Sequence, residues 1–423
     1  MTIDDYESSL SPSVENFDVV IIGGGAAGLM AAAAAGARGK RTIVLEKNKK
    51  IGVKILMSGG TRCNITHDCS PREIADQFGH AAKFLYKAIG QLPPQEVVQI
   101  VEGEGVLTKI ESTGKVFPVS DHAIDVRDAL LRRAKSNGAH FLSGVAVKSI
   151  ERQDGNFVCH SDAGVFTAPS LIICCGGKSY AGCGTTGDGY GWAKQFGHTV
   201  RPPHPALTPL TTDEQWVKDL SGITLERVRC EILRVGESKP LASRVGSLLF
   251  THTGLSGPEP MNLSRYVTSM EAEPAKRFRI DFSPDTSADA FVQHARELAR
   301  THPKSTIAAA LLAELPSRLI EVLFDRCQIP AGQKLADFST AQLMRLRDAV
   351  KGTEIQISGT RGFDKAEVTA GGVELSEVNP ATMESRLVPR LFFAGEILNV
   401  DGPIGGFNFQ AAFSTGTLAG KYA

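Results

Sequence analysis

The sequence predicts an α/β protein built on a Rossmann-like, dinucleotide-binding parallel sheet, and three observations carry that prediction. The run Asp18 to Ile22 is a short β-branched strand of the kind that parallel sheets bury on both faces. The glycine sequence Gly23-Gly24-Gly25-Ala26-Ala27-Gly28 follows at once and opens a small-residue helix over 26–36. A second strand, 41–45, ends in Glu46, eighteen residues beyond Gly28, where a carboxylate can accept the hydroxyls of a ribose.

Each element has a physical reason. Gly23 permits the tight turn, Gly25 lets backbone approach a pyrophosphate, and Gly28 lets helix and strand touch. Ala26 and Ala27 start the helix whose N-terminal end faces the phosphates. The alternative, a glycine-rich turn without a ligand, does not need the acid in register. A third strand, 171–175, ends in Gly176-Gly177, and a fourth, 390–394, runs into Gly395-Glu396. Asp401, Gly405 and Gly406 then precede an apolar helix that starts at Phe407 and Asn408. A helix N-terminus carries partial positive charge, which suits the negative N1 and O2 region of a reduced flavin, so the dinucleotide is read as FAD.

The chain has 423 residues, enough for two or three packed units. Lys plus Arg equals Asp plus Glu at 46 each, so no global field draws it to nucleic acid or an anionic membrane. Eight irregularly spaced cysteines fit a reducing cytosol better than a disulfide framework, which gives a cytoplasmic expectation. The first 16 residues lack Lys and Arg and read as a disordered tail. The uncharged stretch 19–37 is nearly long enough to span a membrane, but it is mostly Gly and Ala, so no membrane segment is expected. No motif fixes an oligomeric state.

Five runs make the chain recognisable: KILMSGGTRCNIT (54–66), GKVFPVSDHAIDV (114–126), GGKSYAGCGTTGDGYGWAKQFGH (176–198), LLFTHTGLSGP (248–258) and MESRLVPRLFFAGEILNVDGPIGGFNFQAAFSTG (383–416). From about residue 17 onward it resembles the BaiN/RdsA-like (YhiN-type) family of NAD(P)/FAD-dependent oxidoreductases. That resemblance implies a glutathione-reductase-type FAD-binding Rossmann-like fold with inserted β-barrel-like and helical domains. It also implies reduction of conjugated or ring C=C bonds, in a steroid enone for one branch and in a uridine of large-subunit ribosomal RNA for another.

The same division is legible in the residues. Pro202, Pro203, Pro205 and Pro209 mark a break, strands follow near 225–235 and 247–251, helical periodicity fills 287–351, and strands return at 354–357. The expected organisation is a tail over 1–16, a FAD-binding domain over 17–203 and 370–423, a β-barrel-like insert over 204–284, a helical insert over 285–352, and return strands over 353–369.

Reducing a C=C bond needs hydride from flavin N5 and a proton on the neighbouring carbon. Cys63 is the candidate acid, Arg62 a candidate to lower its pKa or orient a carbonyl, and His252 a second acid; their bland readings are a packed thiol, a surface cation and a turn histidine. The expected cofactor set comprises Gly23, Gly25, Ala26, Ala27, Gly28, Glu46, Lys47, Lys54, Ser58, Gly59, Gly60, Arg62, Asn64, Val147, Gly176, Gly177, Gly395, Glu396, Asp401, Gly405, Gly406, Phe407 and Asn408. The resemblance implies that Glu396 binds the ribityl chain. Asn408 and Gln410 offer amides to a flavin carbonyl or a pyrimidine edge.

Other uses of these residues are weaker. Cys63 and Cys69 are spaced C-x5-C, one residue off the flavin-disulfide-reductase spacing, and Cys174-Cys175 read as core. Metal ligation by His67, Cys69 or His252 lacks paired spacing, so no metal is expected. The run 182–187 satisfies G-x-G-x-x-G but does not follow a strand directly and lacks a strand and acid after it, so NAD(P)H is expected as a transient hydride donor without its own domain. Thr185, Thr186 and Asp188 line the flavin or substrate cleft, or cap a helix. Thr61 puts a β-branched residue where the family has glycine, and Ala411 replaces a common Trp, which is expected to widen the substrate space.

The expected activity is hydride transfer from NAD(P)H through FAD to a conjugated or ring C=C bond of a small molecule. The alternative is a ribosomal RNA dihydrouridine synthase, with Lys47, Lys49, Lys50, Lys54 and Arg62, or Arg127, Arg132, Arg133 and Lys135, at phosphates. A flavin-binding protein without turnover is a third class.

Overall fold

The computed structural model describes residues 14–269 and 276–423. The chain forms two compact units, one from the residues up to His204 plus Val368–Ala423, the other from Pro205–Glu367.

The first unit is organised by a five-stranded sheet in the order Leu391–Phe393, Ser170–Ile173, Val19–Ile22, Thr42–Glu46, His140–Ser143. All four pairings are parallel, with Val19 opposite Thr42 and Ser170. The chain fills one side of Val19–Ile22 first and the other later, so the order reverses between Val19–Ile22 and Ser170–Ile173. At such a switch point the strand ends diverge and leave a crevice for a ligand. Gly23–Gly25 and Cys174–Gly177 both emerge there.

The first helix, Ala26–Gly36, is almost wholly buried, and the C-terminal helix, Phe407–Tyr422, is buried along most of its length up to Gly420. Small residues let them approach closely. A β-carbon on Gly416 would stand 2.2 Å from the carbonyl oxygen of Ala27, and one on Gly420 would stand 2.1 Å from that of Ala31. Glycines four apart on one helix thus face alanines four apart on the other. The packing explains the Ala and Gly richness that made 19–37 too weakly apolar for a membrane span, and among the described residues no helix is long and apolar enough to cross one.

Smaller sheets flank this core. Thr66–His67, Lys115–Pro118 and Thr108–Ile110 form an antiparallel sheet, and Val14–Asn16, Gly164–Ala168, Asn156–Ser161 and Val147–Gln153 form another. The tail expected over 1–16 is corrected in part. Residues 1–13 lie outside the described residues, but Val14–Asn16 pairs in parallel with Val165–Thr167. Backbone bonding to a sheet edge, which hydropathy does not report, orders this segment.

The second unit holds a seven-stranded sheet in the order Thr353–Ile357, Lys276–Asp281, Thr224–Arg234, Ala242–Thr251, Gly254–Ser256, Leu210–Thr211, Gly359–Thr360. Its two outer strands are separated in sequence by Ser358 alone, whose amide donates to Thr211 O (2.9 Å), so the sheet curls until its edges meet. Cys230, Ile232, Phe278, Ile280 and Ile355 face inward in alternation with charged residues such as Arg279 and Glu231. Phe291, Leu319, Leu323 and Leu346 from the surrounding helices join the same apolar cluster. Three of the surrounding helices start where hydroxyl residues cap them, Ser287 accepting from Ala290 N, Thr306 from Ala309 N, and Ser339 with Gln342 forming a capping box, whereas Ser317–Cys327 starts after Pro316 without a side-chain cap.

Candidate active site

The glycine turn separates fold requirements from ligand requirements. Gly23 has φ +103°, and a β-carbon there would lie 2.7 Å from Cys174 O; one on Gly28 would lie 1.9 Å from Gly23 O. Both positions need glycine for packing alone. Gly25 is different, because its φ of −80° suits any residue and an added β-carbon would meet nothing within 4 Å. The protein leaves that space beside the N-terminus of Ala26–Gly36, which has no side-chain cap. A pyrophosphate fits such a cradle of backbone donors.

Glu46 locks the turn. Its Oε2 accepts from Gly24 N (2.7 Å), and its Oε1 accepts from Asn48 N and Nδ2 (2.8 Å each). A carboxylate has about four lone-pair sites, so one remains for a ribose hydroxyl. Val147, half-buried, starts the mostly exposed strand Val147–Gln153, in which only Ile150 is buried. Lys47 is engaged by Thr186 Oγ1 (2.5 Å) and Asp188 Oδ2 (2.6 Å), which ties the loop after Glu46 to the helix Asp188–Gln195. Thr186 Oγ1 also donates to Asp188 (2.7 Å), and Thr185 Oγ1 bonds to Ser179 O, so these residues brace a helix start.

At the opposite end the chain turns back on itself. Gly59, Gly60, Thr61 and Cys63 have φ of 55°, 66°, 71° and 62°, an unusual density of left-handed residues. Ser58 Oγ donates to Ile55 O (2.7 Å). Asn64 is buried, with Nδ2 donating to Thr66 O (3.0 Å) and Oδ1 accepting from Gly406 N (2.9 Å). The C-terminal helix begins at N-cap Gly406 with no side-chain cap, so its positive end is open to an external acceptor. Glu396 Oε2 accepts from Lys54 Nζ (2.6 Å), and Oε1 accepts from Ser179 Oγ (2.9 Å) and Thr369 N (2.7 Å). Gly176 and Gly177 lie beside this cluster, since β-carbons on them would meet Thr185 and Thr369 side-chain atoms at 2.9 and 2.4 Å. Gly395 donates to Thr415 Oγ1 (3.0 Å), and Asp401 is buried.

Several expected roles change. Cys63 is fully buried among Leu29, Met30, Ile51, Ile55 and Ile65, and burial pushes its thiol up to about 12 although the Ser58 hydrogen bond opposes this. Arg62 does not activate it: the guanidinium is held by Glu111 (2.5 Å) and Asp121 (2.8 Å) and lies 4.0 Å from the Phe117 ring centroid. Gln410 offers no free amide, because Oε1 accepts from Thr66 (2.6 Å) and Nε2 donates to Leu92 O (2.7 Å) in the core. Asn408 clasps its own loop through Gly402 N (2.8 Å) and Gly402 O (2.9 Å). Ala411 is buried in the main core, so its small size opens no substrate space. His252 is exposed at the turn between Ala242–Thr251 and Gly254–Ser256 of the second unit.

The cysteines are free thiols, and Cys174 is core, with Sγ 3.3 Å from Ile22 O. Among the described residues no group of three His, Cys, Asp or Glu is placed to hold a metal. The run at 182–187 forms a short 3-10 turn and the N-cap of Asp188–Gln195, with no strand directly before it. Sequence reasoning missed Ser179 and Thr369, which join Glu396 from distant segments, and His67, weighed only as a metal ligand. His67 Nδ1 lies 3.0 Å from Gly405 O.

The switch-point crevice, the vacant space at Gly25 and the open C-terminal helix define an FAD-dependent oxidoreductase. Residues 17–422 match the family described as HI0933-like protein Rossmann domain, and the chain belongs to that family. It is 32% identical over 403 residues to the ribosomal RNA dihydrouridine synthase of Escherichia coli (strain K12), covering 95% of this chain and 96% of that protein. It is 33% identical over 388 residues to the 3-dehydro-bile acid delta(4,6)-reductase of Clostridium scindens, covering 90% and 92%. Among solved structures, the open conformation of a flavocytochrome c3 fumarate reductase shares the fold, with a TM-score of 0.51 at 15% identity over 97% of this chain and 78% of that one. One of these relatives is named for dihydrouridine formation in ribosomal RNA and the other for reduction of a bile acid.

Proposed function

We propose that the protein takes hydride from NAD(P)H and, through FAD, reduces a carbonyl-conjugated C=C bond of a small molecule. The observation that carries the flavin assignment is the C-terminal helix starting at Gly406 without a side-chain cap. Bound there, FAD supplies hydride from N5. The chain's residues do the rest: Gly25 leaves room for the pyrophosphate, Glu46 receives a ribose hydroxyl, Lys54 with Ser179 and Thr369 orients Glu396 toward the ribityl chain, and the helix N-terminus favours negative charge at the pyrimidine end. Cys63 packs the loop rather than donating a proton, because an acid working near neutral pH needs a pKa far below about 12. Arg62 positions the same loop from its anchorage on Glu111 and Asp121.

The small-molecule reading is supported by charge. Lys47 is paired with Asp188, Lys54 with Glu396, Arg62 with Glu111 and Asp121, and Arg132 and Arg133 with Glu104, so most of the basic runs are neutralised. A second reading, reduction of a uridine in ribosomal RNA, has one observation in its favour. A groove of about 430 Å³ between the helices Pro71–Asp76 and Ala82–Gln91 is lined by Arg72, Asp76, Ala82, Lys83 and Tyr86, with Arg72 3.9 Å from Asp76, so Lys83 and Tyr86 are the residues that could contact a phosphate and stack on a base. The test is turnover with NADH or NADPH. The proposal requires a flavin-dependent gain of two hydrogens by an enone substrate.

A further inference from the structure

His67 ends the strand Thr66–His67, opposite Lys115. Its Nδ1 lies 3.0 Å from the carbonyl oxygen of Gly405. A carbonyl only accepts, so the proton of this contact resides on Nδ1. The ring also stacks on Phe407, the first residue of the C-terminal helix, with centroids 4.8 Å apart and planes 19° apart. Gly114 closes the other end of the ring, because a β-carbon there would stand 2.5 Å from Nε2. The imidazole is therefore held in one orientation by three contacts.

The turn it grips is held only in part by its own residues, through Asn408 on Gly402. Gly405 and Gly406 have φ of 145° and 88° and carry no side chains, so the entry angle of the helix is set from outside. Two groups do this. Asn64 takes the Gly406 amide, and His67 donates to the Gly405 carbonyl while its ring fixes Phe407. Neither residue caps the helix itself.

We propose that His67 is a positioning residue for the flavin: by holding the Gly405 carbonyl and the Phe407 ring, it aims the uncapped helix N-terminus at the pyrimidine end of the isoalloxazine. The inference rests on the FAD reading above. In this role His67 acts through the direction of the helix amides, whose partial charge stabilises reduced over oxidised flavin.

The test uses the full-length holoenzyme with His67→Phe, which keeps a ring for stacking but has no donor, and His67→Gln, which keeps a donor. The midpoint potential of the bound flavin is measured at one pH against redox dyes, alongside the FAD Kd and the melting temperature. His67→Phe is expected to lower the preference for reduced flavin about tenfold, which is about 30 mV for a two-electron couple. His67→Gln is expected to recover to within about threefold of wild type. An unchanged potential in His67→Phe overturns the proposal, and so does an equal shift in both variants, because the effect then follows packing and not the donor. If His67→Phe does not fold, His67→Met replaces it under the same two criteria. Wild-type protein that binds no FAD overturns the cofactor reading and this inference with it.

Discussion

Lys54 and Glu396, 342 positions apart in the chain, meet in an ion pair of 2.6 Å whose side chains are about four-fifths withdrawn from solvent on the glutamate side and less so on the lysine side. The pair ties the loop after the ribose acid to the segment that returns from the second unit. With Ser179 and Thr369 it leaves the Glu396 carboxylate a single orientation. Lys54→Met removes two charge-assisted hydrogen bonds, to Glu396 Oε2 (2.6 Å) and Ser179 Oγ (2.9 Å), each worth ~1.5–3 kcal/mol when partly buried. FAD affinity of the apoprotein, read by fluorescence titration, is expected to fall about tenfold. Glu396→Gln added to Lys54→Met should cost little more, because the two residues act as one unit.

The glycine turn makes a paired prediction. Gly28→Ala puts a β-carbon 1.9 Å from Gly23 O and is expected to destabilise the protein by several kcal/mol, or to prevent folding. Gly25→Ala meets nothing within 4 Å and should melt within about 1 °C of wild type as apoprotein, yet bind FAD at least tenfold more weakly. Equal losses of stability in the two variants would show that Gly25 serves packing and not a pyrophosphate.

The contrast explains what the sequence made legible. Strand, turn, helix and acid over 18–46 are local: backbone conformation, glycine placement and strand periodicity lie within one short stretch. In the second unit the strands near 225–235, 247–251 and 354–357 and the helical periodicity over 287–351 were legible for the same reason, whereas the curl of the sheet, which joins distant strands, was implied only by the resemblance. Site roles that depend on distant partners were not. Gln410 looks like a reader of a ligand edge until Thr66 and Leu92, 344 and 318 positions away, consume its amide. Cys63 has a reactive neighbour in sequence, Arg62, but the guanidinium turns to Glu111 and Asp121 while the thiol turns into the core. Val14–Asn16 is ordered by an edge strand some 150 residues away, which no local pattern announces.

Cys63 yields a direct chemical prediction. Burial pushes its thiol to about 12, so it stays protonated across the working range and closed to solvent. Alkylation of native protein at pH 8, mapped by mass spectrometry, should leave Cys63 unmodified until denaturant is added. Cys63→Ala is expected to cost about 1 kcal/mol of stability and to keep kcat within about threefold. A hundredfold loss of kcat without loss of FAD would restore the thiol to the reaction.

His198 governs a pH dependence remote from the flavin. Its ring is inaccessible, Nε2 lies 2.7 Å from Ser385 Oγ, and Nδ1 lies 3.3 Å from Glu377 Oε2. Leu387 N and Val388 N donate to Ser385 Oγ (3.0 and 2.9 Å), leaving the hydroxyl proton for His198. Burial holds the His198 pKa below its ordinary value, with Glu377 pulling the other way. A lowered folded-state pKa means that the unfolded chain binds the proton first. The stabilisation is therefore complete above about pH 6.5 and is lost as pH falls toward the folded-state value, by at most ~1.4 kcal/mol per pH unit. Melting temperatures between pH 7.5 and 5 should decline more steeply in wild type than in His198→Asn.

Hydride transfer to a small molecule is tested by following the flavin absorbance of the anaerobic protein, first reduced with NADH or NADPH, then challenged in separate cells with a cyclic enone and with uridine-containing ribosomal RNA fragments. The nucleotide is expected to bleach the flavin, the enone to restore its colour, and the recovered enone to have gained two hydrogens. Reoxidation by the RNA alone, with the mass gain on a uridine, would contradict the small-molecule assignment, and a flavin that no pyridine nucleotide reduces would contradict the hydride path itself.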